Sequence, residues 1–286
     1  MTPVSDHEIW AQIHREAFQD AQAEPVLSAH LDQLILQHSS LSASLAAVLG
    51  AKLGTEHFPA AAVASLAREA FADPALQQAV IADLQAVATR DPACRGYSSP
   101  LLHFKGFQSL QGYRLAHALW TQGREAVALY LQGRISEVFA VDIHPAARIG
   151  KGIMFDHATS VVIGATAVVQ DDFSMLHEVT LGGTGKQDGD RHPKIGRGVM
   201  IGAGAKVLGN IKVGDGAKIG AGSVVLDPVP PHVTVAGIPA KPVSFPAHSF
   251  PALEMDQSFD GTQDLVDSLA RWESESDATQ QEDHAR

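Results

Sequence analysis

Aspartate and histidine recur beside aliphatic residues along the middle of this chain. Asp142 and His144 flank Ile143, Asp156 and His157 follow Phe155, and His177 comes just after Met175. Arg191 and His192 lie in a polar stretch further on. A carboxylate that accepts from one ring nitrogen of a histidine fixes its tautomer and leaves the other nitrogen as a base. A base with a pKa near ambient pH suits removal of a hydroxyl proton. An arginine offers a planar fork to a small carboxylate, and a second histidine beside it adds a donor. Any one of these histidines, taken alone, reads first as a solvated corner residue. Two carboxylates, an arginine and several histidines along one stretch read as a site.

What must position them is a repeat. An aliphatic residue, or Phe155 or Met, returns every six positions in three registers. These are Ile143, Ile149 and Phe155; then Ile163, Val169, Met175 and Leu181; then Ile195, Ile201, Val207, Val213, Ile219 and Val225. Gly follows the repeat residue at Gly150, Gly164, Gly182, Gly196, Gly202, Gly214 and Gly220. Neither a helix nor a simple alternating strand has this period. A triangular β-solenoid does: each hexapeptide makes one flat side, the aliphatic residue points inward, and Gly or a small residue allows the corner. Three sides make a coil of 18 residues, so His157 and His177, 20 apart across a two-residue slip, should stack on neighbouring coils. Leu181 and Ile195 are 14 apart, so the polar stretch 183–194 must loop out of the coil. Loops on rigid scaffolds often carry function.

The flanking segments differ in kind. Residues 1–138 are rich in Ala, Leu and Gln and read as helices at about 5–20, 25–38, 41–52, 59–72, 75–89, 101–121 and 124–138. Asp91-Pro92 interrupts them as a turn, since the residue before Pro avoids the helical region. Pro228, Pro230 and Pro231 are expected to end the solenoid near residue 226, because Pro cannot donate to a ladder. Leu265, Val266, Leu269 and Trp272 suit one short amphipathic helix, and the rest of the tail is expected to be disordered.

Bulk properties exclude several classes. The formal charge is −11, of which the stretch from Glu254 to Arg286 carries −8, so the body is near neutral and general nucleic-acid binding is disfavoured. Cys94 is the single cysteine, so no internal disulfide forms, as befits a reducing cytoplasm. The first ten residues lack a basic and an apolar region, and no apolar run is long enough for a membrane span.

Several segments together resemble one family. They are Val-Asp-Ile-His-Pro-Ala-Ala-Arg-Ile-Gly (141–150), Asp-His-Ala-Thr (156–159), Val-Thr-Leu-Gly-Gly-Thr-Gly-Lys (179–186), Gly-Asp-Arg-His-Pro-Lys-Ile (189–195) and Gly-Ala-Gly-Ala-Lys-Val-Leu-Gly-Asn-Ile (202–211). Thr-Arg-Asp-Pro-Ala (89–93) and Tyr-Ser-Ser-Pro-Leu-Leu-His-Phe-Lys-Gly-Phe (97–107) join them. From about residue 5 to 245 the chain resembles serine O-acetyltransferase. The hexapeptides alone indicate only an acyltransferase superfamily; the Asp-Arg-His-Pro-Lys loop and the Asp-Pro turn make the resemblance specific.

The resemblance implies an α+β protein. An all-α N-terminal domain (1–138) precedes a left-handed parallel β-helix (139–245) and an acidic tail (246–286). It implies acetyl transfer from acetyl-CoA to the L-serine hydroxyl, with no metal. His157 would be the general base and Asp142 its carboxylate partner. Asp91, Asp156, Arg191 and His192 would form the serine pocket, the acids toward the ammonium and Arg191 toward the carboxylate. Acetyl-CoA would lie between solenoids of adjacent subunits along Gly183, Thr184, Ala203, Ala221 and Lys241, although Lys241 equally suits a solvated surface. The family is cytoplasmic, forms homotrimers or dimers of trimers, and is commonly inhibited by L-cysteine in the serine pocket. Many members end in an isoleucine that enters cysteine synthase; this chain ends Glu-Asp-His-Ala-Arg, which leaves that complex open. Glu-Met-Asp-Gln-Ser-Phe-Asp-Gly (254–261) still resembles the segment that responds to cysteine.

Three other readings stand beside this one. The same solenoid serves acyl transfer to homoserine or a sugar. His144, His157, His177 and His192 suit a zinc site shared between subunits. A non-catalytic scaffold leaves the polar residues without a role.

Overall fold

The computed structural model describes residues 6–185 and 188–258. Helix α1 (Asp6–Ala23) turns Ile9, Ile13 and Ala17 inward, one per turn. A tight turn (Pro25–Leu27), α2 (Ser28–Leu31) and a wide π turn (Asp32–Leu36) follow, where one helix over 25–38 was expected. The wide turn brings Leu34 and Ile35 into the core together, and Ser44 Oγ donates to Leu34 O at 2.6 Å. Helix α3 (Leu41–Leu53) is capped by Ser40, and α4 (Ala60–Ala70) follows Pro59. Helix α5 (Pro74–Arg90) opens with Asp73 accepting from Ala75 N at 2.9 Å and Pro74 in the first turn.

Helices α6 (Ser98–Leu102), α7 (Lys105–Thr121) and α8 (Glu125–Phe139) complete this part. The helix expected over 101–121 therefore breaks at His103-Phe104. The cause is the start of α7, which lies directly on the solenoid. A Cβ on Gly106 would stand 2.0 Å from the carbonyl oxygen of Phe155. The chain must leave one axis and begin another to make that approach.

Strands β1 (Val141–Ile143), β2 (Arg148–Ile149) and β3 (Met154–Phe155) form the first coil. The second is β4 (Val161–Ile163), β5 (Val168–Val169) and β6 (Ser174–Met175). The third is β7 (Thr180–Gly182), β8 (Lys194–Ile195) and β9 (Met200–Ile201). The fourth is β10 (Lys206–Leu208), β11 (Lys212–Val213) and β12 (Lys218–Ile219), followed by β13 (Val224–Val225), β14 (Thr234–Gly237) and β15 (Ala240–Ser244). They stack as three parallel sheets: β1-β4-β7-β10-β13, β2-β5-β8-β11 and β3-β6-β9-β12-β14, with β15 added antiparallel.

The repeat residues are in register. Ile143, Ile163, Leu181, Val207 and Val225 form one inward column, and the columns of the other two sheets follow the same rule. All are buried except Ile149, which is partly covered. The glycine after the repeat residue is required sterically, since a Cβ on Gly202 would meet Ala221 N of the next coil at 2.6 Å. The left-handed backbone of that corner falls two residues later, at Gly204 (φ +73).

The solenoid does not stop at the prolines. Val229 bridges Val213 in parallel and β14 pairs with β12. Pro228, Pro230 and Pro231 fall outside the paired positions, and Val229, between two of them, supplies the N–H that donates to Lys212 O at 2.9 Å. Short helix α9 (Pro251–Glu254) then crosses the third sheet, where Ser174 Oγ donates to Ala252 O at 2.8 Å. The tail expected to be disordered is ordered as far as it is described: α9 buries Ala252, and Lys218 Nζ donates to Ser258 O. The helix expected around Leu265–Trp272 and the rest of the tail lie outside the described residues. Among the described residues no helix is long and apolar enough to cross a membrane.

A buried polar network fixes the helices on the solenoid. Asp83 on α5 is fully buried and takes a bidentate contact from Arg114 on α7, Nε to Oδ2 at 2.8 Å and NH2 to Oδ1 at 3.0 Å. Gln111 Nε2 and the backbone N of Ile153 donate to the same carboxylate, each at 3.0 Å. Arg114 also reaches Gly150 O, and Arg90 donates to Gly152 O at 2.9 Å and to Ser174 Oγ at 3.0 Å. Removing one member of a buried pair strands the other charge. Asp83→Ala is expected to cost about 3–5 kcal/mol of stability, read from denaturant midpoints. An unchanged midpoint would show that Arg114 finds another partner.

Candidate active site

The polar residues fall at two different corners of the prism. The first corner follows the third sheet. His157 comes two residues after the end of β3 and His177 two after β6, and their rings meet edge to face at 6.1 Å. The stacking expected from their spacing is therefore present. His157 Nε2 lies 3.7 Å from Asp156 Oδ1, beyond a normal hydrogen bond. His157 is 75% exposed at its side chain, and its backbone is left-handed at φ +57. His177 Nδ1 is buried with no partner among the described residues.

Asp91 reaches this corner from the end of α5, where Pro92 prevents continuation and Asp91 Oδ1 accepts from Ala93 N at 2.8 Å. Burial holds the Asp156 carboxyl above its usual range and nearby Asp91 adds to the effect, while His157 and His177 oppose it. A cavity of about 370 Å³ opens here, with Asp91, Asp156 and His157 on its rim and Val87, Phe107 and Met154 in its wall. Cys94 stands nearby, half-buried, its thiol pushed up by burial and donating to Gly96 O at 3.2 Å.

The second corner lies between the first two sheets. Asp142 projects from β1 and its Oδ1 accepts from Gln132 Nε2 at 2.6 Å. The expected pair of Asp142 with His157 is not formed within one chain; among the described residues, the carboxylate within 4.0 Å of His157 is Asp156. Asp142 stands mid-strand on a flat side and His157 at a corner, which explains the separation. Arg191 and His192 end the looped-out segment and sit beside His144, not beside His157.

His192 is held in one tautomer. Its Nδ1 accepts from Thr166 N at 3.2 Å and lies 2.8 Å from Thr166 Oγ1. Thr166 Oγ1 in turn accepts from Arg191 N at 3.1 Å and His192 N at 3.2 Å. With Nδ1 accepting from Thr166 N, Nε2 is the ring nitrogen left to donate. Gly164 makes the space: a Cβ there would stand 2.0 Å from the imidazole. Thr166 escaped the sequence reading, yet register would have found it. It precedes Val169 by three residues as His192 precedes Ile195, and Val169 pairs with Ile195. Gln132 gave no such signal.

Burial lowers the pKa of His192 below its ordinary 6.5, and Arg191 and Lys194 add to this. His144, whose Nδ1 accepts from Ala146 N at 3.0 Å, is lowered by burial and Arg191 against the pull of Asp142. Folding therefore favours both neutral rings. Their contribution is complete above the unfolded value of 6.5 and is lost as pH falls through the lower folded values. Urea midpoints are expected to decline as pH falls from the ordinary histidine value toward the lower folded values of these two rings. Thr166→Val should shrink that decline; a flat profile in both proteins would contradict the assignment.

The residues considered for acetyl-CoA also divide. Ala203 and Ala221 continue the column of His157 and His177, with Gly204 N donating to His177 O at 2.9 Å and Gly222 N to Ala203 O at 2.7 Å. Gly183 and Thr184 lie by the other corner, near Arg191 and Gly209. Lys241 Nζ is 3.4 Å from Asp227 Oδ2, both exposed. The histidines weighed as zinc ligands split as His157 with His177 and His144 with His192. No group of three His, Cys, Asp or Glu among the described residues is arranged for a metal.

Comparison with known proteins agrees with both parts of the chain. Residues 9–112 match the model for the N-terminal part of serine acetyltransferase, and residues 192–227 match the bacterial transferase hexapeptide. Serine acetyltransferase of Salmonella typhimurium is 55% identical over 254 residues, covering 88% of this chain and 93% of the relative. A serine acetyltransferase solved in complex with cysteine is 50% identical, with a TM-score of 0.87 over 90% of this chain and all of the other. The serine acetyltransferase of Brucella abortus in complex with coenzyme A is 49% identical, with a TM-score of 0.82 over 83% of this chain and 95% of the other. At this identity over nearly its whole described length, the chain belongs to the serine acetyltransferase family.

Proposed function

We propose that the chain transfers the acetyl group of acetyl-CoA to the hydroxyl of L-serine, giving O-acetylserine and CoA. The observation that carries this is His157, an exposed imidazole on the rim of a cavity beside Asp91 and Asp156, in a chain of this family. In this reading the two acids hold the serine ammonium, and a bound cation returns Asp156 to its charged form. His157 takes the hydroxyl proton as the oxygen attacks the thioester carbonyl. The tetrahedral oxyanion collapses, the C–S bond breaks, and the thiolate leaves as CoA after taking up a proton.

Among the described residues of one chain, the cation lining the first cavity is Lys105, already turned to Thr159, and no guanidinium reaches the serine carboxylate there. Arg191 and the Nε2–H of His192 supply a fork and a neutral donor, but at the second corner. We infer that a neighbouring copy brings its second corner, with Asp142, to this first corner. Asp142 then becomes the carboxylate partner of His157 across the interface. Exposed Val162 and Leu226 on the solenoid, and Phe18, Val26 and Leu27 on the helices, suit a trimer and a pairing of trimers. Acetyl-CoA lies in the same groove, past Gly183, Thr184, Ala203 and Ala221, where small residues admit the pantetheine arm. Lys241 is offered toward a phosphate only if its contact with Asp227 opens.

L-cysteine carries the same ammonium and carboxylate as serine, so it competes for the pocket and inhibits. Nothing in this scheme requires a metal, and a cytoplasmic setting suits both substrates. The test is release of CoA thiol from acetyl-CoA with and without L-serine. A serine-dependent rate supports the reading. No serine dependence, with turnover of homoserine or a sugar, would replace the acceptor while keeping the donor.

A further inference from the structure

The corner that carries His157 is built from backbone that ordinary residues avoid. His157, Ala158 and Ser160 all have φ near +60, at 57, 59 and 62 degrees. Such residues persist only where their surroundings hold them. Most of the holds come from the solenoid itself. Asp156 N donates to Met175 O at 2.8 Å, Ser160 N to Ala140 O at 2.7 Å, and Glu178 N to Thr159 O at 2.7 Å.

One hold comes from the helical part. Lys105, the first residue of α7, donates from Nζ to Thr159 Oγ1 and lines the same cavity as Asp91, Asp156 and His157. Its backbone cannot drift away, because the adjacent Gly106 is seated against Phe155 O, one residue before Asp156. Helix α7 is fixed in turn by Arg114 on buried Asp83. A rigid helix thus ends in a cation that grips the strained corner from outside. The acyl transfer itself makes no use of the segment 97–107.

We propose that Lys105 is a positioning residue for His157: through Thr159 it holds the left-handed corner that aims the imidazole at the substrate hydroxyl. It rests on the serine reading and goes beyond it, since Lys105 contacts neither reacting atom. The alternative use of the same ammonium is to bind the substrate carboxylate directly, and the two differ in what Thr159 does.

The experiment compares Lys105→Met, Lys105→Arg, Thr159→Val and the double variant Lys105→Met/Thr159→Val with wild type, full length and checked for assembly. Loss of aim falls on turnover: kcat should drop about tenfold or more in Lys105→Met and Thr159→Val. The Michaelis constant for serine should stay within about twofold, and the double variant should be no worse than either single change, because both break one contact. Lys105→Arg should keep most of the rate. A raised Michaelis constant in Lys105→Met with Thr159→Val like wild type would make Lys105 a substrate ligand and overturn the proposal, as would unchanged kcat in both. If Lys105→Met fails to assemble, Thr159→Val decides alone. Wild type without serine-dependent turnover would remove the function and this role together; an active wild type with insensitive variants would remove this role only.

Discussion

His157→Ala is expected to lower the serine-dependent rate about 10³-fold, within the range for a general base. The loss should fall on kcat, since Asp91 and Asp156 are left to hold the ammonium. His157 is exposed and its left-handed φ of +57 strains alanine as it does histidine, so stability should change little. His177 is not placed to substitute, because its Nδ1 is buried and its ring centroid lies 6.1 Å from that of His157. Measurement of CoA release on assembled protein checks this. A rate within about tenfold of wild type would mean that another group takes the proton.

Much of the positioning was legible because a solenoid turns sequence distance into spatial distance. A spacing of 20 between His157 and His177 had to mean neighbouring coils, and their rings touch. The same arithmetic reads the 14-residue gap between Leu181 and Ile195 as a loop without disturbing the stacking of Val169 on Ile195. What was not legible involves the choice of side. Asp142 and His157 are close in sequence, both beside a repeat residue, and look like partners. Asp142 stands mid-strand on the first sheet and His157 at the corner that leads into it, so within one chain the carboxylate within 4.0 Å of His157, among the described residues, is Asp156. The break before α7 was hidden for a different reason. Helical propensity runs through His103-Phe104, and only the carbonyl of Phe155, 49 residues beyond Gly106, demands the new axis. Prolines misled because their rule concerns ladder donors. Pro228 and Pro230 flank a donating position without occupying it, and the coil continues.

The separation of corners has a consequence that a mixture of two inactive proteins can read. His157→Ala damages only the first corner and Arg191→Ala only the second. If each site joins the first corner of one copy to the second corner of a neighbour, mixed assemblies contain some interfaces with both corners intact. Such an interface needs its His157 from the Arg191→Ala chain and its Arg191 from the His157→Ala chain. With equal, random mixing in a cyclic trimer, about one interface in four meets that condition. Co-expressed or co-refolded variants are therefore expected to regain about a quarter of wild-type activity, although each alone is nearly inactive. The regained activity should also show the wild-type Michaelis constant for serine, since the restored sites are complete. A site closed within one chain predicts no recovery, because every chain carries one defect. That outcome would require Arg191 to travel to His157 on its own chain, past the first sheet and the Thr166 contacts that hold the loop end.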